Sequence, residues 1–427
     1  MIKNSLLFQK NRKKYLKNVK SGSVSIFHSN DQMPTNADGL MPFRQNNNLL
    51  YLCGIDQEET ILILCPGHTE KDFQEILLIK KTSEQIKIWE GEKVTIKQAQ
   101  EISGVQTVLW TEEFDAVLEK ITSNAEYIYL SHNDHPRANI IVETRNMRMG
   151  QKMKNAFPEK VFLESSPIMN ELRSIKEPEE IELIQQACNI TKSGFNRILK
   201  FIKPNIFEYN IEAELIHEFR NLKSRGFAYE PIIASGKNGC VLHYNSNNEK
   251  LNSGDVILMD FGAEYLNYAS DLTRCVPVNG KFTKRQKNIY HAVWRVMRGA
   301  KNLLKPGAIL SDYELIVGQL MEKELVDLGL ISTNDIARQG SVPAYKKYYM
   351  HGTSHHLGLD VHDVSNPQNK LCAGMVLTCE PGIYIPEENI GIRLENDILV
   401  TNDGPQDLME SILIDPEEIE HFMQQKS

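Results

Sequence analysis

Residues 256–262 read Val-Ile-Leu-Met-Asp-Phe-Gly, an apolar run that holds a single carboxylate, Asp260. A short run of large and branched apolar side chains predicts a buried strand. A carboxylate inside such a strand is costly unless it is paired with a cation or binds a metal ion. The stretch therefore predicts a sheet that carries a polar site.

A second acid, Asp271, lies eleven residues after Asp260. If the two segments form a hairpin that turns near residues 265–266, both carboxylates lie on the same side of the sheet. That geometry would chelate a metal ion. In the alternative interpretation, Asp271 caps a turn and Asp260 pairs with a cation such as Arg274.

Histidines are concentrated in residues 351–363, which read His-Gly-Thr-Ser-His-His-Leu-Gly-Leu-Asp-Val-His-Asp. The segment holds four of the 12 histidines of the chain. Imidazole is the commonest metal ligand among side chains, and it also moves protons near pH 7. A glycine-punctuated loop of this composition is a candidate site, although a single histidine taken alone is more often structural.

Two further acids occur among apolar residues, Glu380 within residues 377–385 and Glu395 within residues 391–397. The pattern predicts adjacent strands with a turn at residues 386–389. Taken singly, either glutamate can be a paired core acid. Four strand carboxylates and one histidine together balance the charge of two divalent cations, and mostly oxygen ligands favour hard ions such as Mn(II).

The first third of the chain alternates short apolar runs with amphipathic stretches, which is typical of an α/β domain. A domain boundary is predicted near Ser165-Ser166-Pro167, which gives an amino-terminal domain at residues 1–166 and a second domain at residues 167–427. In the first domain, buried strands are predicted at residues 49–53, 60–64, 76–79 and 127–130, and a helix at residues 114–121.

The second domain repeats an order of elements, a pair of helices followed by strands. In its first half, one helix begins near Pro178 and another covers residues 210–225. In its second half, one helix is capped by Thr283 and another by Ser311. The predicted strands cover residues 255–261 and 274–278 in one half, and residues 375–379 and 397–400 in the other. The pattern predicts an α+β domain built by duplication.

Composition limits the class of protein. The chain has 48 Lys and Arg and 56 Asp and Glu. The resulting net charge of −8 argues against a nucleic-acid partner. No apolar stretch reaches the roughly 18 to 20 residues of a membrane-spanning helix, so no membrane partner is expected. The seven cysteines form no Cys-x-x-Cys pair, which argues against a disulfide framework. Residues 1–30 lack acids, as mitochondrial presequences do, but Lys outnumbers Arg there, which favours the cytoplasm.

Five residues, in their order and local contexts, resemble the metal-ligand set of the pita-bread metallopeptidases: Asp260, Asp271, His355, Glu380 and Glu395. The segments around the last three look most like those of Xaa-Pro aminopeptidases (aminopeptidase P) and prolidases. Residues 41–54 are similar to the start of the aminopeptidase P amino-terminal domain. The resemblance implies a creatinase/aminopeptidase P type α/β domain followed by a pita-bread catalytic domain with an internal pseudo-two-fold duplication.

The resemblance also implies how two divalent cations are held. Asp260 and Asp271 would bind one ion, His355 and Glu380 would complete the second site, and Asp271 and Glu395 would bridge both. Mn(II) is the first choice of metal, with Co, Zn or Fe as alternatives.

The implied reaction is hydrolysis of the amino-terminal Xaa-Pro bond of peptides by a hydroxide that bridges the two ions. Glu380 would accept the proton of the water. His243 and His362 would line the substrate site and steady the oxyanion, and His351 would take part in substrate binding or proton transfer. Arg393, on the same strand face as Glu395, would hold the carboxylates in place, together with Tyr384.

Cys379 departs from the family pattern, in which an apolar residue such as Val is commoner before the glutamate. A thiol at this position would make the activity sensitive to oxidation. A second departure is the short span between Glu380 and Glu395, which leaves room for a tight hairpin and for little loop over the substrate.

Four alternatives to an Xaa-Pro aminopeptidase remain open from the sequence. A prolidase, restricted to Xaa-Pro dipeptides, fits the same residues. A methionine aminopeptidase fits less well because of the extra amino-terminal domain. A metal-free pita-bread binding module, or a metal-free creatinase-like enzyme, is disfavoured because all five ligand types are in place. The amino-terminal domain implies a homodimer or homotetramer.

Overall fold

The computed structural model describes residues 5–131, 140–366 and 368–425. The chain forms two compact units, residues 1–173 and 174–427. The predicted division into residues 1–166 and 167–427 stays a prediction. Across the described ranges, no helix combines the length and the hydropathy that a membrane span requires, and the cytoplasmic location also stays a prediction.

The amino-terminal unit is built on a mixed sheet of six strands in the order β6-β5-β4-β1-β7-β8. Its centre pairs β1 antiparallel to β4 and parallel to β7. Apolar side chains of the sheet pack on the apolar face of α5, because Phe114, Val117, Leu118 and Ile121 recur at helical spacing. The elements are α1 Ser5–Leu16, β1 Ser23–His28, β2 Pro34–Asn36, β3 Gly39–Leu40, α2 Asn47–Cys53, β4 Ile61–Leu64, β5 Glu75–Ile79, α3 Glu84–Glu90, α4 Ile96–Ser103, β6 Thr107–Trp110, α5 Phe114–Thr122, β7 Tyr127–Leu130, α6 Arg145–Ala156, β8 Val161–Glu164 and α7 Ser166–Ser174.

One predicted strand of this unit is wrong. Residues 49–53 lie in helix α2, where the Asn46 side chain accepts hydrogen bonds from the backbone of Asn48 and Leu49 and so begins the helix. Gly54, at φ 70°, ends the helix in the left-handed conformation. A helix buried on every side has no polar face, so a short apolar run does not distinguish it from a buried strand. The other three predicted strands and the predicted helix are confirmed.

The carboxyl-terminal unit contains the predicted repeat. Helices α8 and α9 precede the antiparallel sheet β13-β10-β9, and helices α10 and α11 precede the antiparallel sheet β14-β17-β18. The elements are α8 Pro178–Phe201, α9 Glu208–Asn221, β9 Ile232–Ser235, β10 Val256–Phe261, β11 Glu264–Tyr265, β12 Tyr268–Ala269, β13 Leu272–Pro277, α10 Lys284–Lys301, α11 Leu310–Asp327, α12 Thr333–Ala337, β14 Val376–Cys379, β15 Gly382–Ile385, β16 Ile390–Arg393, β17 Asn396–Thr401, β18 Gly404–Asp407 and α13 Pro416–Gln424.

The helix ends of this unit agree with the sequence in part. Thr283 caps α10 as predicted, accepting a hydrogen bond from the backbone of Gln286. The predicted cap at Ser311 is wrong, since α11 begins at Leu310 and places Ser311 inside its first turn. Helix α9 ends earlier than predicted, and Lys223 just after it adopts the left-handed conformation at φ 69°.

The first repeat contains the predicted hairpin. Strands β10 and β13 pair antiparallel with Asp260 opposite Thr273, and the chain turns at Leu266 and Asn267, both in the left-handed conformation. Asp271 is two residues before Thr273, so it occupies the diagonal position on the same face as Asp260. The hairpin therefore brings the two carboxylates together.

Gly262, which follows β10, is expected to tolerate no side chain. A Cβ at this position would lie 1.7 Å from the backbone oxygen of Ser270, and a clash with backbone cannot be relieved by a rotamer change. Gly262→Ala is therefore expected to destabilise the protein by about 3 kcal/mol or more. Thermal or urea unfolding measures the change. Gly340→Ala is the control, because a Cβ there meets nothing within 4 Å; equal stability of the two variants would contradict the prediction.

Candidate metal centre

The five predicted ligands converge at the ends of strands from both repeats. Asp260 is near the end of β10 and Asp271 directly precedes β13, while Glu380 follows β14 and Glu395 precedes β17. His355 belongs to a loop that is bonded to β14. Its backbone donates to the Thr378 hydroxyl at 3.2 Å and accepts from the Thr378 backbone at 2.9 Å.

Three of these side chains lie close enough to share one ion. Asp271, His355 and Glu395 each offer a ligand atom, and these atoms lie within 4.8 Å of one another. His355 Nε2 is 3.5 Å from Asp271 Oδ2 and 3.6 Å from Glu380 Oε1, so Glu380 borders the same space. Asp260 joins the group through Tyr229, whose hydroxyl hydrogen-bonds to the carboxylates of both Asp260 and Asp271.

Arg393 is the cation that pairs with Asp260, through Nη2. Its other nitrogens donate to the Tyr384 hydroxyl at 3.0 Å and to Thr273 Oγ1 at 3.1 Å. Asp260 therefore pairs with an arginine, as in the alternative interpretation, but not with Arg274, which donates to the backbone oxygen of Glu395 at 2.7 Å and to other acceptors away from Asp260. Arg393 therefore lies where its charge offsets part of the acid cluster.

Three supporting residues were missed from the sequence. Tyr229 bridges two acids, Thr273 donates to Glu395 Oε2 at 2.6 Å, and Asp397 accepts from the Asp271 backbone at 3.0 Å. Asp397 could have been found, because it lies two residues after Glu395 in a buried strand and so on the same face. Thr273 could have been found by the same spacing, two residues after Asp271, whereas the position of Tyr229 depends on long-range packing that no local pattern encodes.

His351 lies beside the cluster with both ring nitrogens engaged. Its Nδ1 is 2.6 Å from the Gly352 oxygen and its Nε2 is 2.7 Å from the Tyr384 hydroxyl. Because Arg393 donates to Tyr384, the Tyr384 proton is directed at Nε2, and the ring proton of His351 is assigned to Nδ1. Burial lowers the pKa of His351 to about 3. The ring is therefore neutral, with Nδ1 3.8 Å from Glu380.

Three further histidines lie near His355 or His351. The His362 ring meets the His355 ring edge-on, with their centroids 4.2 Å apart. His243 is exposed and near enough to His351 for its charge to contribute to the lowered pKa of that ring. His356, predicted to have no catalytic part, is buried at 5% exposure.

Cys379, next to Glu380, is fully buried, and its thiol donates to the Met297 backbone oxygen at 3.6 Å. Burial raises the pKa of this thiol. Because the reactive form of cysteine is the exposed thiolate, the expected sensitivity to oxidation does not follow at this position.

The cluster has the electrostatics of a cation site. Burial is the main cause that raises the pKa of Asp260, Glu380 and Glu395, and repulsion among the acids raises these pKa values further. The pKa of Glu380 is raised to about 7. Burial alone would lower the pKa of His355, but the hydrogen bond to Asp271 and the charge of Glu380 outweigh it and raise the value to about 9. Protons held this way are released when a cation binds.

The side chains remain reachable from solvent, with 13% of Asp260, 7% of Asp271, 13% of His355 and 19% of Glu380 exposed. These four side chains are partly exposed while Glu395 is buried, and four carboxylates with one imidazole suit hard divalent ions. Fold and site together define a metal-dependent hydrolase centre.

Comparison with known families agrees with this class. The family described as metallopeptidase family M24 matches residues 182–402, and the aminopeptidase P N-terminal domain matches residues 8–129. The chain belongs to the metallopeptidase family M24.

Named relatives cover nearly the whole chain. The Xaa-Pro aminopeptidase of Escherichia coli K12 is 34% identical over 97% of both chains, and Xaa-Pro aminopeptidase 3 of Homo sapiens is 31% identical over 90% of this chain and 78% of its own. Zinc-substituted E. coli aminopeptidase P in complex with product superposes with a TM-score of 0.88 at 32% identity, covering 99% of each chain. Aminopeptidase PepP of Pseudomonas aeruginosa gives 0.91 at 28% identity, covering 100% of this chain and 99% of its own. The predicted two-domain fold class is confirmed.

Proposed function

We propose that the protein is a metalloaminopeptidase that removes the first residue from peptides with proline in the second position. The observation that carries the proposal is the convergence of side chains of metal-ligand type: ligand atoms of Asp271, His355 and Glu395 lie within 4.8 Å of one another, and Glu380 and Asp260 border them. The named relatives that align over nearly the whole chain, the Xaa-Pro aminopeptidases, support the choice of substrate.

Two divalent cations are proposed to occupy the cluster, with Mn(II) preferred because most of the donors are carboxylate oxygens. Asp260 and Asp271 would hold one ion, His355 and Glu380 the other, and Asp271 and Glu395 would bridge both. Such ions supply a nucleophilic water at neutral pH and polarise the scissile carbonyl. The four carboxylates match the charge of two dications.

Glu380 is proposed to move the proton. Its carboxylate borders the cluster, with Oε1 3.6 Å from His355 Nε2, and is placed to accept a proton from water and return it later in the same turnover. The nitrogen of proline needs that proton, since it leaves as an amine. Glu380 Oε2 is 3.8 Å from His351 Nδ1, so this oxygen of the carboxylate faces the neutral ring of the histidine.

His243 and His362 are proposed to line the substrate side of the site. Both residues are exposed, and the edge of one ring meets the face of the other where His362 contacts the proposed ligand His355. A ring nitrogen placed here can donate a hydrogen bond to the oxygen of the peptide carbonyl as negative charge develops on it. Arg393, paired with Asp260, holds the acids in position.

Proline explains why a dedicated site is needed. An Xaa-Pro bond has no amide hydrogen, so it cannot form the strand pairing through which many proteases hold a substrate. A site that instead binds the free amino terminus and the reacting carbonyl can cleave this bond.

A homodimer or homotetramer is proposed as the working form. Ile88 and Trp89 on α3 are 78% and 76% exposed, an apolar pair that a subunit contact would cover. Sedimentation velocity measures the mass of the particle; a monomer at micromolar concentration would contradict this part of the proposal.

A peptide panel tests the substrate. The metal-stripped protein is refilled with Mn, Co, Zn or Fe separately and assayed on an Xaa-Pro dipeptide, Xaa-Pro-Ala, a longer Xaa-Pro peptide and Met-Ala. Release of the first residue from all three Xaa-Pro peptides is expected, with no cleavage of Met-Ala and the highest rate with Mn.

Other outcomes point to the alternatives. Cleavage of the dipeptide alone would identify a prolidase. A purified protein that neither retains a metal nor cleaves any peptide would identify a metal-free binding module and refute the proposed function.

A further inference from the structure

The segment that carries His243 has little secondary structure of its own. Residues 241–249 contain neither a helix nor a strand. Two backbone bonds, from Val241 to Asn238 at 2.9 Å and from Tyr244 to Val241 at 3.3 Å, lie at its start. The path of the segment, here called the His243 loop, therefore depends on hydrogen bonds that involve side chains.

The buried Asn247 is one anchor of the loop: its side chain accepts from the Ile233 backbone at 2.9 Å and donates to the Pro231 oxygen at 2.9 Å and to Glu212 at 3.1 Å. Glu208 anchors the part of the loop that adjoins His243. It begins helix α9 and is fully buried. Its Oε1 accepts from the backbone and the hydroxyl of Ser235, at 2.8 and 2.7 Å, and from Asn238 at 3.4 Å. Its Oε2 accepts from the Tyr244 hydroxyl at 2.8 Å and from the Glu249 backbone at 3.0 Å. A buried carboxylate is stable only with such a full set of donors.

Three of the residues that donate to Glu208 lie on either side of His243 in the sequence. Asn238 precedes the His243 loop, Tyr244 is the next residue after His243, and Glu249 closes the loop. The pKa of Tyr244 is raised to about 12 by burial and by the hydrogen bond and charge of Glu208, so the hydroxyl remains a donor.

His243 itself has no such support. Among the residues that the structure describes, no hydrogen bond to its ring is found, and the ring is exposed beside His351. Its direction is therefore set by the backbone of the loop.

We propose that Glu208, acting through Tyr244, is a positioning residue that holds the His243 loop in place and directs His243 at the substrate. The inference rests on the proposed function, because His243 is taken to contact the reacting carbonyl. Glu208 touches no substrate and acts only through the loop.

Kinetics of four proteins test the coupling: wild type, Tyr244→Phe, His243→Ala and the double variant. Tyr244→Phe keeps the ring and removes one hydrogen bond to a buried charge. It is expected to lower kcat for an Xaa-Pro tripeptide about tenfold, with a smaller change in KM. In the His243→Ala background the same substitution is expected to change kcat less than about twofold, because the residue through which it acts is gone.

The matched control is Tyr209→Phe. Tyr209 lies next to Glu208 on α9 and is exposed, so removal of its hydroxyl is expected to leave kcat unchanged. Equal effects of Tyr244→Phe in both backgrounds, or full activity of either Tyr244→Phe or His243→Ala, would overturn the positioning role.

A readout without catalysis separates this proposal from the proposed function. Lys237 and Lys250, both exposed, flank the His243 loop. Tyr244→Phe and Glu208→Gln are expected to speed trypsin cleavage after these lysines at least about fivefold more than cleavage after lysines elsewhere in the chain, because the overall stability lost with a hydrogen bond of a buried carboxylate affects all sites. Unchanged cleavage refutes the anchoring by Glu208. Faster cleavage in a protein that hydrolyses no Xaa-Pro peptide refutes the proposed function and leaves the anchoring in place.

Discussion

Glu380→Gln is expected to lower kcat on Xaa-Pro peptides by about 10³-fold while the protein stays folded. Glutamine has nearly the same size and can still offer one oxygen to a cation, but it cannot accept and return a proton. The loss should therefore fall on kcat, with KM changed little. Steady-state kinetics with a metal-saturated protein, together with circular dichroism, measure both parts.

Glu387→Gln is the control for this substitution. Glu387 is exposed in the turn between β15 and β16, close in sequence to Glu380 but outside the cluster. Its substitution should leave kcat unchanged. If Glu380→Gln kept more than about a tenth of the activity, the proton-transfer role would be wrong; metal analysis of the variant tells whether a lost cation is the cause of any loss.

Removal of the metal is expected to make stability depend on pH. In the folded, metal-free protein the pKa values of Asp260, Glu380 and Glu395 are raised, mainly by burial. The folded state then binds protons more tightly than the unfolded state. This contribution to stability is complete below about pH 4 and is lost as the pH rises through the folded values, about 7 for Glu380. His355 acts with the same sign up to about pH 9.

A bound cation replaces those protons, so its stabilising effect should grow with pH. The measurement is the difference in unfolding temperature between the metal-loaded and metal-stripped protein at pH 5.5 and at pH 8. At a free metal concentration of 100 times Kd, binding alone stabilises by about 2.7 kcal/mol. Burial lowers the pKa values of His28, His351 and His356, so these residues make the folded state more stable as the pH rises. Their contribution is present with and without metal, and it largely cancels in the difference between the two unfolding temperatures.

Asp260→Asn serves as the control for the pH experiment. It removes one proposed ligand, so the metal-induced rise in unfolding temperature at pH 8 should shrink. A rise equal at pH 5.5 and pH 8 in the wild type would show that the cation does not compete with protons at this cluster.

The sequence predicted the acids of the site better than their surroundings. Asp260, Asp271, Glu380 and Glu395 could be found because a charge in an apolar strand conflicts with local composition. Tyr229 could not, because it lies outside the strands and reaches Asp260 only through the tertiary fold. The same limit applies to Glu208, whose role depends on partners up to 41 residues away along the chain.

Errors in the fold have local causes. Residues 49–53 were predicted as a strand because a fully buried helix lacks the polar face that reveals helical periodicity. Ser311 was predicted as a cap because serine favours that position, but α11 begins one residue earlier and Ser311 falls inside its first turn.

The distribution of the proposed ligands over both repeats has a consequence for how the protein matures. Asp260 and Asp271 come from the first repeat, whereas His355, Glu380 and Glu395 come from the second. Neither repeat can assemble the cluster alone, and the last ligand emerges from the ribosome long after the first. If these residues hold the cation as proposed, the ion can bind only after synthesis has passed Glu395 and both repeats have folded together, and the nascent fragment is expected to be inactive until then.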